Sequence, residues 1–212
     1  LWESSTERLI LSRDRLGVRP LYTTRVGSDF LFASEVKALF AHPGVVRSID
    51  PEGLGQTLTF WSTVAPRTIF TGVSQVPPGS YMVIDRHGER TQQFWRLTFP
   101  DAGSEPFQDI NENAAELRRL VEEATRLRFE RSDVPVGAYL SGGLDSTITA
   151  SVVASVTSAP TKTFSLRFTD DEFDEGKYQH ELARRLGTEH HEVVVGPDAI
   201  AEIFPQVVFH AE

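Results

Sequence analysis

The sequence predicts a two-domain chain of mixed α+β and α/β class. Three observations point there. Residues 1–97 break into short apolar runs separated by turn residues, residues 98–110 shift to Pro, Asp, Gly, Ser and Glu, and residues 111–212 alternate helical and strand patterns. In the first part, residues 9–11, 21–24, 30–33, 81–84 and 93–96 read as strands, with Gly27-Ser28 and His87-Gly88 as turns. Its helices are brief: residues 35–41 continue directly from a strand, and Asp50-Pro51 supplies an N-cap and first helical position leading into residues 53–60. Pro77-Pro78-Gly79 is a turn before the last hairpin.

The polar connection at 98–110 cannot bury enough surface to order itself strongly, which places the domain boundary there. Leu117, Leu120, Val121, Ala124 and Leu127 then fall at helical spacing, so residues 111–131 form an amphipathic helix whose arginines are a solvated face. After it, 134–140 is a strand, 146–157 a helix, 163–168 a strand, 175–186 a helix and 191–195 a strand. That alternation means a parallel sheet covered by crossover helices.

Thirty acidic against 21 basic residues give a formal charge of -9, which argues against nucleic acid and anionic membrane surfaces as general partners. The apolar runs are too short for a membrane span and no leader precedes Trp2, so a cytoplasmic protein is expected. With no cysteine, these residues offer neither a disulfide, nor a thiolate metal site, nor a cysteine nucleophile. The sequence opens on Leu1 rather than methionine and stops at Glu212 inside an apolar region, so both ends are expected to be cuts.

The chemistry concentrates in Ser141-Gly142-Gly143-Leu144-Asp145-Ser146-Thr147, between the first strand of the predicted parallel sheet and the following helix. Paired glycines permit positive φ and let backbone amides approach a ligand, and hydroxyls at 141, 146 and 147 can donate to phosphate oxygens. The helix start behind them favours an anion. The run has neither the lysine nor the glycine spacing of the common P-loop, and it is not the dinucleotide fingerprint. Asp145 among phosphate contacts would add repulsion unless a divalent cation bridged it, which argues for magnesium. Two glycines alone would read as a tight turn and Asp145-Ser146 as a cap; the complete run in this context outweighs that reading.

The run resembles the S-G-G-x-D-S loop of the ATP pyrophosphatases, enzymes that cleave ATP between the α and β phosphates and transfer AMP to a carboxyl or carbonyl oxygen. The stretches Arg13-Asp14-Arg15-Leu16-Gly17-Val18-Arg19-Pro20-Leu21-Tyr22 and Phe32-Ala33-Ser34-Glu35-Val36-Lys37-Ala38-Leu39 resemble the late glutaminase domain of asparagine synthetases. So do Pro77-Pro78-Gly79 and the strand ending near Phe94-Trp95, while Thr163-Phe164-Ser165-Leu166 and Leu186-Gly187-Thr188-Glu189-His190-His191-Glu192 resemble the first part of the synthetase domain.

What the resemblance implies is specific. Residues 1–97 would be the C-terminal part of an Ntn-type glutaminase β-sandwich layer. Residues 111–212 would be the first βαβαβ of a parallel-sheet ATP pyrophosphatase domain, of the adenine nucleotide alpha hydrolase-like kind. The activity implied is that of a glutamine-hydrolysing asparagine synthase. This ligase activates aspartate as β-aspartyl-AMP with ATP and Mg2+, and ammonia from glutamine attacks it, giving asparagine, glutamate, AMP and pyrophosphate. Ser141, Gly142, Gly143, Leu144, Asp145 and Ser146 would hold ATP or pyrophosphate, Asp145 would bind magnesium, and Tyr139 and Leu166 match the positions whose backbone frames the adenine. Tyr139 replaces the aliphatic residue usual there.

The family's glutaminase nucleophile, an N-terminal cysteine, and its glutamine-binding residues would lie upstream of Leu1. The second acidic magnesium ligand and most of the aspartate pocket would lie beyond Glu212, so these residues alone are expected to be inactive. A homodimer is left open as the assembly. Asp14, Gly17, Pro20 and Ser34-Glu35 are read as structural, and adjacent His190 and His191 on one strand should face opposite sides, poor geometry for one metal. Two alternatives stand beside this reading: a related carboxylate-adenylating synthetase, such as a β-lactam synthetase or peptide-cyclising homologue, and a noncatalytic nucleotide-binding module.

Overall fold

The computed structural model describes residues 1–104, 109–157 and 160–211; residues 105–108, within the connection read at 98–110, lie outside them. The chain forms two compact units, Leu1–Ala102 and Gly103–His210.

The first unit contains β1 (Trp2–Glu3), β2 (Arg8–Ser12), β3 (Tyr22–Val26), β4 (Asp29–Ala33), α1 (Val36–Leu39), α2 (Pro51–Phe60), β5 (Ser74–Gln75), β6 (Ser80–Asp85) and β7 (Gly88–Gln93). They build two antiparallel sheets, ordered β1-β2-β6-β7 and β4-β3-β5. Val36, Leu39 and Val73 are buried with Tyr22, Leu31, Phe40 and Phe70 packed around them, the Phe40 and Phe70 rings meeting edge to face at 5.0 Å. Helix α2 starts as predicted: the Asp50 carboxylate accepts the Glu52 N–H at 3.1 Å and Pro51 fills the first position.

The loop after β2 is held from inside. The Arg13 guanidinium is buried and donates to the carbonyls of Gly17 (3.0 Å), Arg19 (3.2 Å) and Val76 (2.8 Å) and to Gln75 Oε1 (2.9 Å). Asp14 accepts the backbone N–H groups of Val18 and Arg19 at 3.0 and 2.9 Å, the structural role predicted for it. One predicted strand, 93–96, is corrected: β7 ends at Gln93 because the next two amides, of Phe94 and Trp95, both donate to Gly79 O, at 2.8 and 3.0 Å. That fold-back puts Trp95 O 2.3 Å from where a Cβ on Gly79 would stand, so only glycine fits the turn.

The second unit contains α3 (Ile110–Glu130), β8 (Gly137–Tyr139), α4 (Leu144–Val156), β9 (Lys162–Phe168), α5 (Gly176–Leu186), β10 (Glu189–Val195) and α6 (Pro197–Ala211). The three strands form a parallel sheet in the order β10-β9-β8, with α4 and α5 as the crossovers. Ala138, Leu140, Ala150 and Ala183 form its core, with Leu182 and Leu186 against them. The opposite face of the sheet exposes Tyr139, Phe164, Leu166 and Val193. The alternation of strand and helix is the predicted one, but β8 is shorter than residues 134–140. Its start is delayed by a turn in which Ser132 Oγ donates to Val134 O at 2.8 Å, just ahead of Pro135, which has no N–H to give. On α3 the arginines do form a solvated, ion-paired face, Arg119 lying 2.7 Å from Glu116 and 2.9 Å from Glu123. Its apolar stripe is less covered than amphipathicity suggests: Leu117, Leu120 and Leu127 are exposed, and Thr125 is the buried residue.

Candidate functional site

The predicted loop leaves the C-terminal end of β8. Leu140, 0% exposed, anchors it: its N–H donates to Phe164 O at 2.9 Å, and its own carbonyl accepts the Ser165 hydroxyl. The chain then turns out of the sheet at Ser141 and enters α4 at Leu144, with Gly143 as N-cap. Gly142 sits at φ +89°, and a Cβ there would stand 3.3 Å from Tyr178 Cβ and 3.4 Å from Glu175 Cβ. The first glycine of the motif therefore answers to two constraints, a left-handed backbone and the start of α5 packed against it.

The hydroxyls divide between bracing and helix support. Ser146 Oγ accepts the Ser141 N–H at 3.2 Å, lies 2.9 Å from Ser141 Oγ and 3.1 Å from Gly143 O; Ser141 Oγ accepts the Gly143 N–H at 3.3 Å. A phosphate would have to draw these two hydroxyls from each other. Thr147 differs from the sequence reading: its one hydroxyl proton goes to Gly143 O at 2.7 Å, inside the helix, so it is not turned toward the loop mouth.

The first intrahelical amide bond of α4 is Thr147 N–H to Gly143 O at 3.1 Å, which leaves the amides of Leu144, Asp145 and Ser146 as the open donors of the helix start. Asp145 lies in that first turn, exposed, and its carboxylate has no hydrogen bond or ion pair among the described residues. Tyr139 is 83% exposed and Leu166 56% exposed; both stand on the uncovered face of the sheet, Tyr139 directly opposite Phe164 and Leu166 two residues further along. The structure thus brings all eight sequence-predicted site residues around one strand end, as an open shelf of donors in which Asp145 is the carboxylate.

Two groups beneath the shelf carry no sequence motif. Gln179 of α5 is 2% exposed, and its Nε2 donates to Ser141 O at 3.3 Å and to Leu166 O at 3.1 Å. The signal for it was a polar residue on the 176–179–183–186 stripe, positions that α5 otherwise gives to glycine, alanine and leucine. Arg167 grips Asp174 through both nitrogens, at 2.6 and 3.2 Å, and holds its carboxyl below the usual carboxylate range. His190 and His191 do face opposite sides: His190 Nδ1 lies 3.0 Å from Thr163 Oγ1, while the His191 ring stacks on Phe164 at 5.3 Å.

Comparison with known proteins finds relatives for both parts of the chain. Residues 1–95 match the family described as Glutamine amidotransferase domain, and residues 116–212 match Asparagine synthase. The chain belongs to the asparagine synthetase family. Within it, asparagine synthetase (glutamine-hydrolysing) 3 of Bacillus subtilis is 29% identical over 98% of the chain and 36% of its own length. Asparagine synthetase (glutamine-hydrolysing) 1 of the same organism is 33% identical over 99% of the chain and 32% of its own length. An amidase of Penicillium rubens, chyE, is 34% identical over 100% of the chain and 33% of its own length. The chain spans about a third of the length of the curated relatives it matches. Among the described residues no helix is long and apolar enough to cross a membrane.

Proposed function

We propose that the 141–146 loop is the ATP-pyrophosphate site of a glutamine-dependent asparagine synthetase, with residues 98–110 joining an Ntn-type glutaminase part (1–97) to an ATP-pyrophosphatase part (111–212). The observation that carries this reading is the loop itself: a helix start with unused amides, a glycine held open by its neighbours, and an unpaired carboxylate, all at the C-terminal end of a parallel strand. Ligands of open parallel sheets bind at such strand ends.

In this reading the β and γ phosphates of ATP lie against the amides of Gly142 to Ser146, and the backbone at Tyr139 and Leu166 frames the adenine. Asp145 is a single carboxylate; no group of three or more potential ligands is clustered among the described residues. Asp145 would hold a magnesium ion together with the second acidic ligand that the resemblance puts beyond Glu212, and the ion would neutralise charge on the departing pyrophosphate. The chain's own amides do the same work by electrostatics: they face the charge that builds as the α–β bond breaks, and they are already oriented. The activated group would be the β-carboxylate of aspartate, the attacking nitrogen would come from glutamine, and the setting would be the cytoplasm.

The amidase relative at 34% identity favours one second reading, in which the same loop adenylates a carboxylate other than that of aspartate. The test is product analysis on the protein at the full length of its gene, given aspartate, glutamine, ATP and magnesium, with Asp145→Ala alongside. Asparagine, glutamate, AMP and pyrophosphate, all but glutamate lost in the variant, is the expected result. Pyrophosphate released only with another carboxylate supports the second reading, and ADP with phosphate would refute both.

A further inference from the structure

Beneath the loop, α5 contributes one polar side chain to an otherwise apolar contact. Gln179 is almost fully buried, its two amide protons go to Ser141 O and Leu166 O, and its Oε1 is buried without a partner among the described residues. Leaving an acceptor unpaired in the interior is unfavourable. The side chain is there for its two donors.

What those donors replace is backbone. In a parallel ladder, contacts along one strand edge recur every second residue. Leu140 N–H donates to Phe164 O, so Leu166 O is the next acceptor on that edge, facing the place residue 142 would occupy if β8 continued. Instead the chain leaves at Ser141, and Gln179 takes the vacated acceptor with one N–H. Its other N–H draws Ser141 O inward. The Ser141–Gly142 peptide is trans, so pulling its carbonyl toward α5 turns the Gly142 N–H the opposite way, out onto the shelf. That N–H has no partner among the described residues.

We propose that Gln179 is a positioning residue for anion binding: by holding Ser141 O and Leu166 O together it fixes the Gly142 amide outward and ties the phosphate loop to the strand that carries the adenine-framing residue. This rests on the loop's being a phosphate site, and the test separates the two. The probe is inorganic pyrophosphate with magnesium, titrated calorimetrically into the chain and into Gln179→Met, which keeps the volume and loses both donors. Affinity about tenfold or more weaker in the variant is expected, the usual scale for removing a partner one layer behind a ligand-binding group. In the same samples the Gly142 amide resonance of the wild type should move on pyrophosphate addition and should start from an altered position in Gln179→Met, a signature that general loosening of α5 would not single out. Unchanged affinity with an unchanged Gly142 amide overturns the role of Gln179. If the variant does not fold, the wild-type Gly142 resonance decides alone: movement supports the proposal and indifference to bound pyrophosphate overturns it. A wild type that binds no pyrophosphate at all overturns the phosphate reading instead.

Discussion

At the residue scale, the site depends on a few positions where no other side chain would serve. Gly142 is at φ +89° with Tyr178 and Glu175 at its back, so Gly142→Ala meets both a left-handed backbone and crowding. The substitution should cost about 1–2 kcal/mol from backbone conformation, before any crowding, and should abolish pyrophosphate binding, measured by denaturant unfolding and calorimetry. Both glycines of the motif were legible because glycine pairs before a helix have few purposes. Gln179 was not, because a glutamine declares itself only when the carbonyls it satisfies are brought to it, and Ser141 and Leu166 lie 38 and 13 residues away.

At the scale of elements, β8, α4 and α5 act as one lever. Leu140 is fully buried among Ala138, Ala150 and Ala183, and the loop begins at the next residue. Leu140→Ala should destabilise the second unit by about 2–5 kcal/mol, the range for a large-to-small change in a core. Because the cavity opens directly under the loop, pyrophosphate affinity should fall with it, which thermal unfolding with and without ligand will reveal. Element type was readable from period along most of the chain. Element ends were not: β7 stops early because Gly79 O captures the next two amides, and β8 starts late because of a serine turn. Helix α6 (Pro197–Ala211) went unassigned in the sequence, since its apolar residues at 203–209 run together around Pro205 without a one-sided period.

At the scale of the molecule, acid should act in two windows. His190 is held neutral, mainly by burial, with His180 nearby adding to the effect, so its folded value lies below 6.5. The unfolded chain then binds the extra proton first, and stability should decline as pH falls below 6.5 toward that lowered value; His190→Gln should flatten this limb. The second window is carboxylate. Asp14 is lowered by the Arg19 and Val18 amides, Asp50 by Arg67, Asp85 by Arg90 and Asp174 by Arg167, all from 3.8. Their contribution is present above 3.8 and is lost as pH falls through the lowered folded values, so circular dichroism should show a second, steeper loss there.

By itself, the sequence determined the two-part organisation, the antiparallel and parallel halves, and the loop proposed as the phosphate site, because periodicity, turn residues and a seven-residue motif are local properties of the chain. Only the tertiary structure decided which hydroxyls face the loop, which amide points outward, and which buried side chain holds it there. Those depend on where Ser141, Leu166 and Gln179 meet, and residues brought together from different elements leave no mark in local sequence.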